Sequence, residues 1–394
     1  MILIIGDIMH GGDIYNNKVK MDFSVNLNPL GVPESVKKAI IDSVENIANY
    51  PENGAYSLKR ELSETLKVSP DSLLMTSGAS EAFMSIVRAL EPKRAMIFDP
   101  CFSGYEYVLN SKKTDIYHGR IEELEGSGQF LDSYNGSMCQ ASDEDRISPD
   151  GCESLYSLDD FINIHNSVKE SYEPGNEILI GGSRQATNNS IVFFANPNNP
   201  NGKCIDIIKL KNIISTLSEN EIYSVIDECF LPLTDRMDES FIGTDNPYVI
   251  VVRSFTKSFA IPGIRLGYTY TPDNELIKQI SREIPEWNLS ISAIAAGKAC
   301  LKETGYLDRA REVIRTEGCR LRKSLNELGL KTYPTDTCYI MFAGPENLYE
   351  KMLEEGVLIR DLSDYRGLGK GFYRVAVKTR SENDELLNIM KTAL

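Results

Sequence analysis

Six short apolar runs punctuate the first 270 residues, and each stops at a cluster of polar residues. They are LLMTSG (73–78), AMIFDP (95–100), IVFFANP (191–197), YSVIDE (223–228), VIVVRS (249–254) and RLGYTY (265–270), separated by helical or loop segments. No other feature constrains the fold as strongly. Short strands alternating with helices predict an α/β protein with a mostly parallel sheet covered by helices on both faces. In such a sheet, ligands bind beyond the carboxyl ends of the strands. The polar clusters at those ends are therefore the candidate functional residues.

The rest of the chain is organised around this block. Residues 1–32 read as an extended N-terminal arm, broken at Gly11-Gly12 and at Asn28-Pro29-Leu30-Gly31. A large domain follows over 33–272. It opens with a helix begun by Pro33 and ended by Pro51, with Val36, Ile40, Val44 and Ile47 at helical spacing. Leu58, Leu62 and Leu66 mark a second helix, and Ala82, Ile86 and Leu90 a third that begins near Ser80. Residues 273–394 turn helical, then alternate as CYIMFAG, LYEKMLEEG, VLIRD, YRVAVK and ENDELLNIMK, which predicts a small C-terminal α+β domain. A Gly-, Ser- and acid-rich interval over about 122–190 reads as a polar insertion without forced structure.

Composition excludes several functions. The 394 residues carry a formal net charge of -15, which repels nucleic-acid phosphates. No apolar segment approaches the roughly 20 residues of a membrane span. The opening MILIIGDIMHGGD has no basic region and no small-residue cleavage site, so it reads as strand or arm. Eight scattered cysteines without a Cys-x-x-Cys pair fit reduced thiols in a cytoplasmic protein. His10, His118 and His165 lie too far apart in sequence to suggest a metal site.

The strand ends supply a set of groups that suits one molecule. Gly78, Ala79 and Ser80 open a helix, whose free N–H groups and dipole attract an anion; a plain helix cap reads the same way. Ser254 and Arg265 could add a hydroxyl and a guanidinium to that anion. Phe102 could stack on a planar ring, or sit in the core. Asp227 ends an apolar strand, where a lone carboxylate is costly; a protonated ring nitrogen or a structural arginine would each answer it. Asn199 sits in a Pro-rich turn and could donate to a phenolic oxygen. Lys257 follows the apolar strand, and a desolvated lysine is a neutral nucleophile able to attack an aldehyde. Pyridoxal phosphate needs such a lysine, an acid at its pyridinium nitrogen and a phosphate cup.

The string S-x-T-K-x-x-x-x-P-G-x-R-x-G-Y over Ser254–Tyr268, with NPNNPNG and IDE upstream, resembles the fold-type I pyridoxal-phosphate enzymes of the aspartate aminotransferase superfamily. Histidinol-phosphate aminotransferases and L-threonine O-3-phosphate decarboxylases belong there. The arm His10-Gly11-Gly12 and Asp22–Gly31 resembles the HGG and DFSANINPLG of the decarboxylases of cobamide synthesis. So do Phe230, where aminotransferase relatives usually carry a tyrosine, and the tail Leu358-Ile359-Arg360, Tyr365, Gly367-Leu368 and Tyr373–Val377.

The resemblance implies a homodimer that decarboxylates a small phosphorylated amino acid, threonine phosphate or serine phosphate. It implies that Lys257 holds the cofactor and that Asp227 and Asn199 meet its ring. Arg374 then grips the substrate carboxylate, with Asn199 beside it. Arg360, His10 and Asn26 hold the substrate phosphate. Tyr50 reaches a cofactor phosphate across the dimer interface. An aminotransferase of the histidinol-phosphate type remains the alternative, since the motif does not fix which bond at the α-carbon breaks. A non-catalytic protein on the same fold is a further alternative, against which the intact Lys257, Asp227 and Asn199 stand.

Overall fold

The computed structural model describes residues 11–125, 155–170, 179–180, 183–184 and 189–394. In chain order its strands are β1 (Met21–Asp22), β2 (Leu73–Thr76), β3 (Arg94–Asp99), β4 (Asp115–Arg120), β5 (Leu179–Ile180), β6 (Ser183–Arg184), β7 (Ser190–Ala195), β8 (Tyr223–Asp227), β9 (Val249–Ser254), β10 (Gly267–Tyr270), β11 (Lys331–Thr332), β12 (Tyr339–Ala343), β13 (Val357–Leu358), β14 (Arg360–Asp361) and β15 (Phe372–Ala376). The six apolar runs all fall in one seven-stranded sheet, in the order β2-β10-β9-β8-β7-β3-β4. Strand β10 is antiparallel to both neighbours, and every other pair is parallel.

The strands are buried on both faces, and their two-residue period sorts the side chains. Val192, Phe194, Ile226 and Val251 join one apolar cluster, with Leu210, Ile214 and Leu217 of the helix Ile207–Glu219. Ile191, Phe193, Val225 and Val252 join another, with Ala82, Phe83, Ile86 and Leu90 of the helix Gly78–Leu90. Helices on both faces are what a nearly unbroken apolar strand requires. This is the α/β architecture expected from the sequence, with a mostly parallel sheet.

A second sheet, β11-β12-β15-β14, is antiparallel throughout. The N-terminal arm is stitched onto this part of the chain. Strand β1 runs parallel to β13, Phe23 N donates to Leu358 O at 2.8 Å, and Ala376 N donates to Phe23 O at 2.8 Å. Phe23 is itself core, packed among Ile340, Phe342 and Tyr373. Further on, Asn28 N donates to Lys257 O at 3.0 Å and Asn28 Nδ2 to Ser258 O at 2.7 Å. The arm thus ties the tail of the chain to the turn after β9.

Three features depart from the sequence reading. DIYHGR forms the edge strand β4, paired in parallel with β3. Its polar alternation hides it, because one edge of a sheet tolerates such residues. The helix opened by Pro33 is α-helical only over Glu34–Ser43 and then tightens into a 3₁₀ turn at Val44–Asn46. The change from 3.6 to 3.0 residues per turn rotates the following side chains. Val36 is buried and Ile40 packs against the core, but Val44 and Ile47, in and just after the tightened turn, are 53% and 67% exposed. The interval expected as a polar insertion falls largely outside the described residues. Within it, however, the helix Leu158–Glu170 buries Phe161 against Tyr117, with ring centroids 5.5 Å apart. No helix among the described residues is long and apolar enough to cross a membrane.

One buried ion pair supports the sheet beside the strand ends. Glu228, wholly buried, accepts from Arg253 Nε and Nη2 at 2.9 and 2.7 Å, from Ser240 Oγ at 2.8 Å and from Phe241 N at 2.7 Å. Removing one partner of such a pair leaves an uncompensated charge, at a cost of about 3–5 kcal/mol. Arg253→Met is expected to lower the unfolding free energy by about that amount in urea titration. A loss below about 1 kcal/mol would show that the pair does not hold the strand ends.

Candidate active site

The polar strand ends converge on a cavity of about 460 Å³. The large sheet contributes Ala79, Ser80, Phe102, Tyr105, Asn199, Asp227, Ser254, Lys257 and Arg265; the arm contributes Gly11, Ser24, Val25 and Asn26; the tail contributes Arg360, Tyr365 and Arg374. A larger cleft of about 720 Å³ lies along the helix Tyr306–Glu327. Its cations are mostly paired to acids on the same or neighbouring turns, and it holds none of these residues.

Lys257 sits in the single helical turn Phe255–Ser258 directly after β9. Part of its side chain opens to the cavity, while protein atoms surround the rest. Burial pushes its pKa down, and the positive charges of Arg374 and Arg265 act in the same direction. No acid pairs with it among the described residues; the ring of Phe230 lies 6.0 Å from Nζ. A lysine so placed is shifted toward the neutral, nucleophilic amine.

Asp227 ends β8. Its Oδ2 accepts from Tyr105 O–H at 2.7 Å and its Oδ1 from Cys229 N at 3.0 Å. Burial still pushes its pKa up, against those two hydrogen bonds, because no cation faces it among the described residues. The missing charge is a positive one. Asn199 turns its Oδ1 toward Arg374 Nη1 and, at 3.5 Å, toward Tyr365 O–H, which leaves its Nδ2 donor unspent.

The helix Gly78–Leu90 begins at the cavity wall. Ser77 N is capped by Glu81 Oε2 at 2.6 Å, and the first-turn N–H groups of Ala79 and Ser80 have no partner within the helix. Arg265 lies against this turn and pairs with no acid among the described residues. Gly78 has φ +77°, a backbone conformation that favours glycine, and a Cβ there would come within 2.6 Å of Arg265 Nη2, displacing the guanidinium from this turn. Ser254 accepts from Thr256 N at 3.1 Å and donates to Leu266 O at 3.2 Å, holding the loop while it lines the cavity.

Arg374 and Arg360 close the other side. Arg374 is only 6% exposed, lies over the Tyr339 ring at 5.2 Å and reaches Asn199 Oδ1 and, at 3.4 Å, Ser24 O. Its Nε is buried without a partner, and no carboxylate meets it among the described residues. Asn26 Oδ1 is also buried and unpartnered. Arg360, by contrast, is paired to Asp364 at 2.8 Å.

Of the residues singled out from the sequence, the cavity gathers Ala79, Ser80, Phe102, Asn199, Asp227, Ser254, Lys257, Arg265, Asn26, Arg360 and Arg374, with Gly78 in contact through Arg265. Tyr50 is not among the lining residues. It is 81% exposed and packs at a tilt against Trp287, with ring centroids 4.8 Å apart. His10 lies outside the described residues. Two participants were missed: Tyr105, which holds Asp227, and Asn28, which holds the backbone of Lys257. The Asn-Pro turn was a signal for the second; nothing local marked the first.

The sequence matches the aminotransferase class I and II family over residues 18–137 and 155–390. The chain therefore belongs to that family, whose members depend on pyridoxal 5′-phosphate. It is 28% identical over 380 residues to a threonine-phosphate decarboxylase of Salmonella typhimurium, covering 95% of this chain and 91% of that protein. It is likewise 28% identical over 385 residues to a histidinol-phosphate aminotransferase of Thermoanaerobacter pseudethanolicus, covering 96% and 93%. The crystal structure of the histidinol-phosphate aminotransferase of Clostridium acetobutylicum superposes with a TM-score of 0.74 at 25% identity, covering 94% of this chain and 98% of that one.

The residues present fit the cofactor of this family. A buried carboxylate without a cation, a neutral-leaning lysine and an unpaired arginine beside a helix N-terminus answer its ring nitrogen, aldehyde and phosphate respectively.

The lowered pKa of Lys257 has a direct readout. In cofactor-free protein, the rate of its reductive methylation should rise with pH through a midpoint below the ~10.4 of an ordinary lysine. Arg374→Leu removes a positive charge, favours the ammonium and should move that midpoint upward. An ordinary midpoint in the unaltered protein would contradict the electrostatics described.

Proposed function

We propose that the chain decarboxylates a short amino acid carrying a phosphate, L-threonine O-3-phosphate or its lower homologue O-phospho-L-serine, to the aminoalcohol phosphate used in cobamide synthesis. The observation that carries this reading is the pair of buried arginines on one cavity. Arg374 and Arg360 stand opposite each other on β15 and β14, which offers two anion grips one strand apart. A substrate with a carboxylate at one end and a phosphate at the other matches that arrangement. The similarity to a threonine-phosphate decarboxylase over 95% of the chain supports it.

The chain's own groups divide the work. Arg374, unpaired and buried, takes the carboxylate in a bidentate grip. Arg360 takes the phosphate, with Asn26 on the same cavity; the family resemblance adds His10 to this role. Fixing both ends sets the rotation about the α-carbon and hence which bond is aligned for cleavage. Asp227, a buried carboxylate short of a cation, would ionise against the ring nitrogen and keep that nitrogen protonated, with Tyr105 fixing its orientation. Asn199 would donate its free amide N–H to the ring oxygen. Arg265, Ser254 and the first turn at Gly78, Ala79 and Ser80 would hold the cofactor phosphate, and Phe102 would supply an apolar wall to its ring. Bound pyridoxal phosphate supplies an electron-accepting ring for the charge left on the α-carbon. Lys257 delivers the proton that replaces carbon dioxide there.

The second reading, an aminotransferase of the histidinol-phosphate type, draws on the equal identity to such an enzyme. It needs Lys257 to remove the α-hydrogen instead. We further propose a homodimer. Ile41, Val44, Ile47, Tyr50 and Trp287 leave an exposed apolar face, which a second copy would cover, bringing Tyr50 to the partner's cofactor phosphate. Sedimentation of an Ile41→Glu/Ile47→Glu variant should show monomer where the parent is dimeric. The free cysteines fit a cytoplasmic setting.

The deciding experiment mixes holoenzyme with L-threonine O-3-phosphate and no keto acid. The decarboxylase reading expects carbon dioxide, with kcat/KM lowered about a hundredfold in Arg374→Leu, in keeping with loss of a charge-assisted pair of roughly 3 kcal/mol. Turnover that requires a keto acid, with histidinol phosphate preferred, would overturn it.

A further inference from the structure

Arg360 and Arg374 are Cα partners across β14 and β15. Directly opposed residues of an antiparallel pair carry their side chains on the same face, and like charges there repel. Both side chains are buried, at 5% and 6% exposure, where salt screens little of that repulsion. Among the described residues only Arg360 has an acid. Asp364 meets its Nη2 with both oxygens, at 3.0 and 2.8 Å. The Nη1 group donates to Asp361 O at 2.6 Å, and the Tyr365 ring lies 5.3 Å from the guanidinium carbon.

Asp364 does not line the substrate cavity. It lines a separate recess of about 380 Å³, together with Asp99, Glu106 and Arg366. It therefore reaches Arg360 from behind. The loop that carries it is anchored to the large sheet, since Arg366 lies 3.3 Å from Glu106 and 3.6 Å from Asp99. Of the five guanidinium N–H groups, Asp364 and the Asp361 carbonyl leave the Nε–H and one Nη1–H uncommitted.

We infer that Asp364 is a positioning residue: it holds Arg360 against the repulsion of Arg374 and keeps the remaining guanidinium donors turned to the distal anion of the substrate. The inference rests on the reading in which Arg360 takes that anion. Asp364 acts through Arg360 alone and touches neither substrate nor cofactor. Its loss should therefore weaken substrate binding while sparing the chemistry at Lys257, Asp227 and Arg374. What it contributes is a charge and an acceptor in a fixed place, so an amide that keeps one acceptor oxygen should replace it in part.

Steady-state kinetics of the holoenzyme on L-threonine O-3-phosphate test this. Asp364→Ala is expected to raise KM about tenfold with kcat within about twofold, the size of one orienting charged hydrogen bond. Asp364→Asn should return KM to within about threefold of the parent. In an Arg360→Gln background, adding Asp364→Ala should change KM no further, and this comparison also serves if the single alanine variant does not fold. An unchanged or lower KM in Asp364→Ala, a loss confined to kcat, or an additive effect on top of Arg360→Gln overturns the inference. If Arg360→Gln itself leaves KM unchanged, the assignment of the distal anion to Arg360 fails, and the inference falls with it. If Arg360→Gln raises KM and Asp364→Ala does not, the inference alone is lost.

Discussion

A buried charge without a partner is costly, and this cavity gathers three groups that lack one. Asp227 has no cation, Lys257 has no acid, and Arg374 has no carboxylate among the described residues. Each is held where burial opposes its charged form or leaves it unanswered. The structure keeps these groups in place only because strong packing surrounds them. Strands filled on both faces set the strand ends, and the Glu228–Arg253 pair locks β8 to β9 beside Asp227 and Lys257. A cofactor with a protonated ring nitrogen and an aldehyde would answer Asp227 and Lys257, and the carboxylate of a bound substrate would answer Arg374, which is why the cavity reads as a cofactor and substrate site.

The N-terminal arm and the tail complete what the large sheet begins. The arm runs along β13, hands its carbonyl at Phe23 to β15 and then turns to grip the backbone of Lys257 through Asn28. One short segment therefore couples the arginines of the second sheet to the lysine of the first. The tail also touches the arm directly, since Arg374 reaches the Ser24 carbonyl two residues before Asn26. Arg374 and Lys257 are thus joined through the same arm, although they lie more than a hundred residues apart in sequence.

Much of this was legible beforehand, for a physical reason. Strands covered on both faces must be apolar to their ends, so the change to polar residues at Thr76, Asp99, Asn196, Asp227 and Ser254 marks the ligand side of the sheet. The residues that escaped notice act through tertiary contact or break the period. Tyr105 looks like any aromatic of a short helix until folding brings its hydroxyl to Asp227, 122 positions away. Strand β4 carries polar residues that an edge position tolerates. The apolar stripe continued through Val44 and Ile47 predicts a buried helix face, but a tightened last turn swings it outward. The pairing of Arg360 with Asp364 was equally invisible, because it depends on a loop that doubles back behind β14.

The account stands on Lys257 as the amine that tethers the cofactor. The most direct measurement is to load the purified protein with pyridoxal phosphate, reduce it with borohydride, digest it and map the peptides by mass. The account predicts a single modified peptide, with the pyridoxyl mass on Lys257. Modification spread over surface lysines, with Lys257 left unmodified, would contradict it.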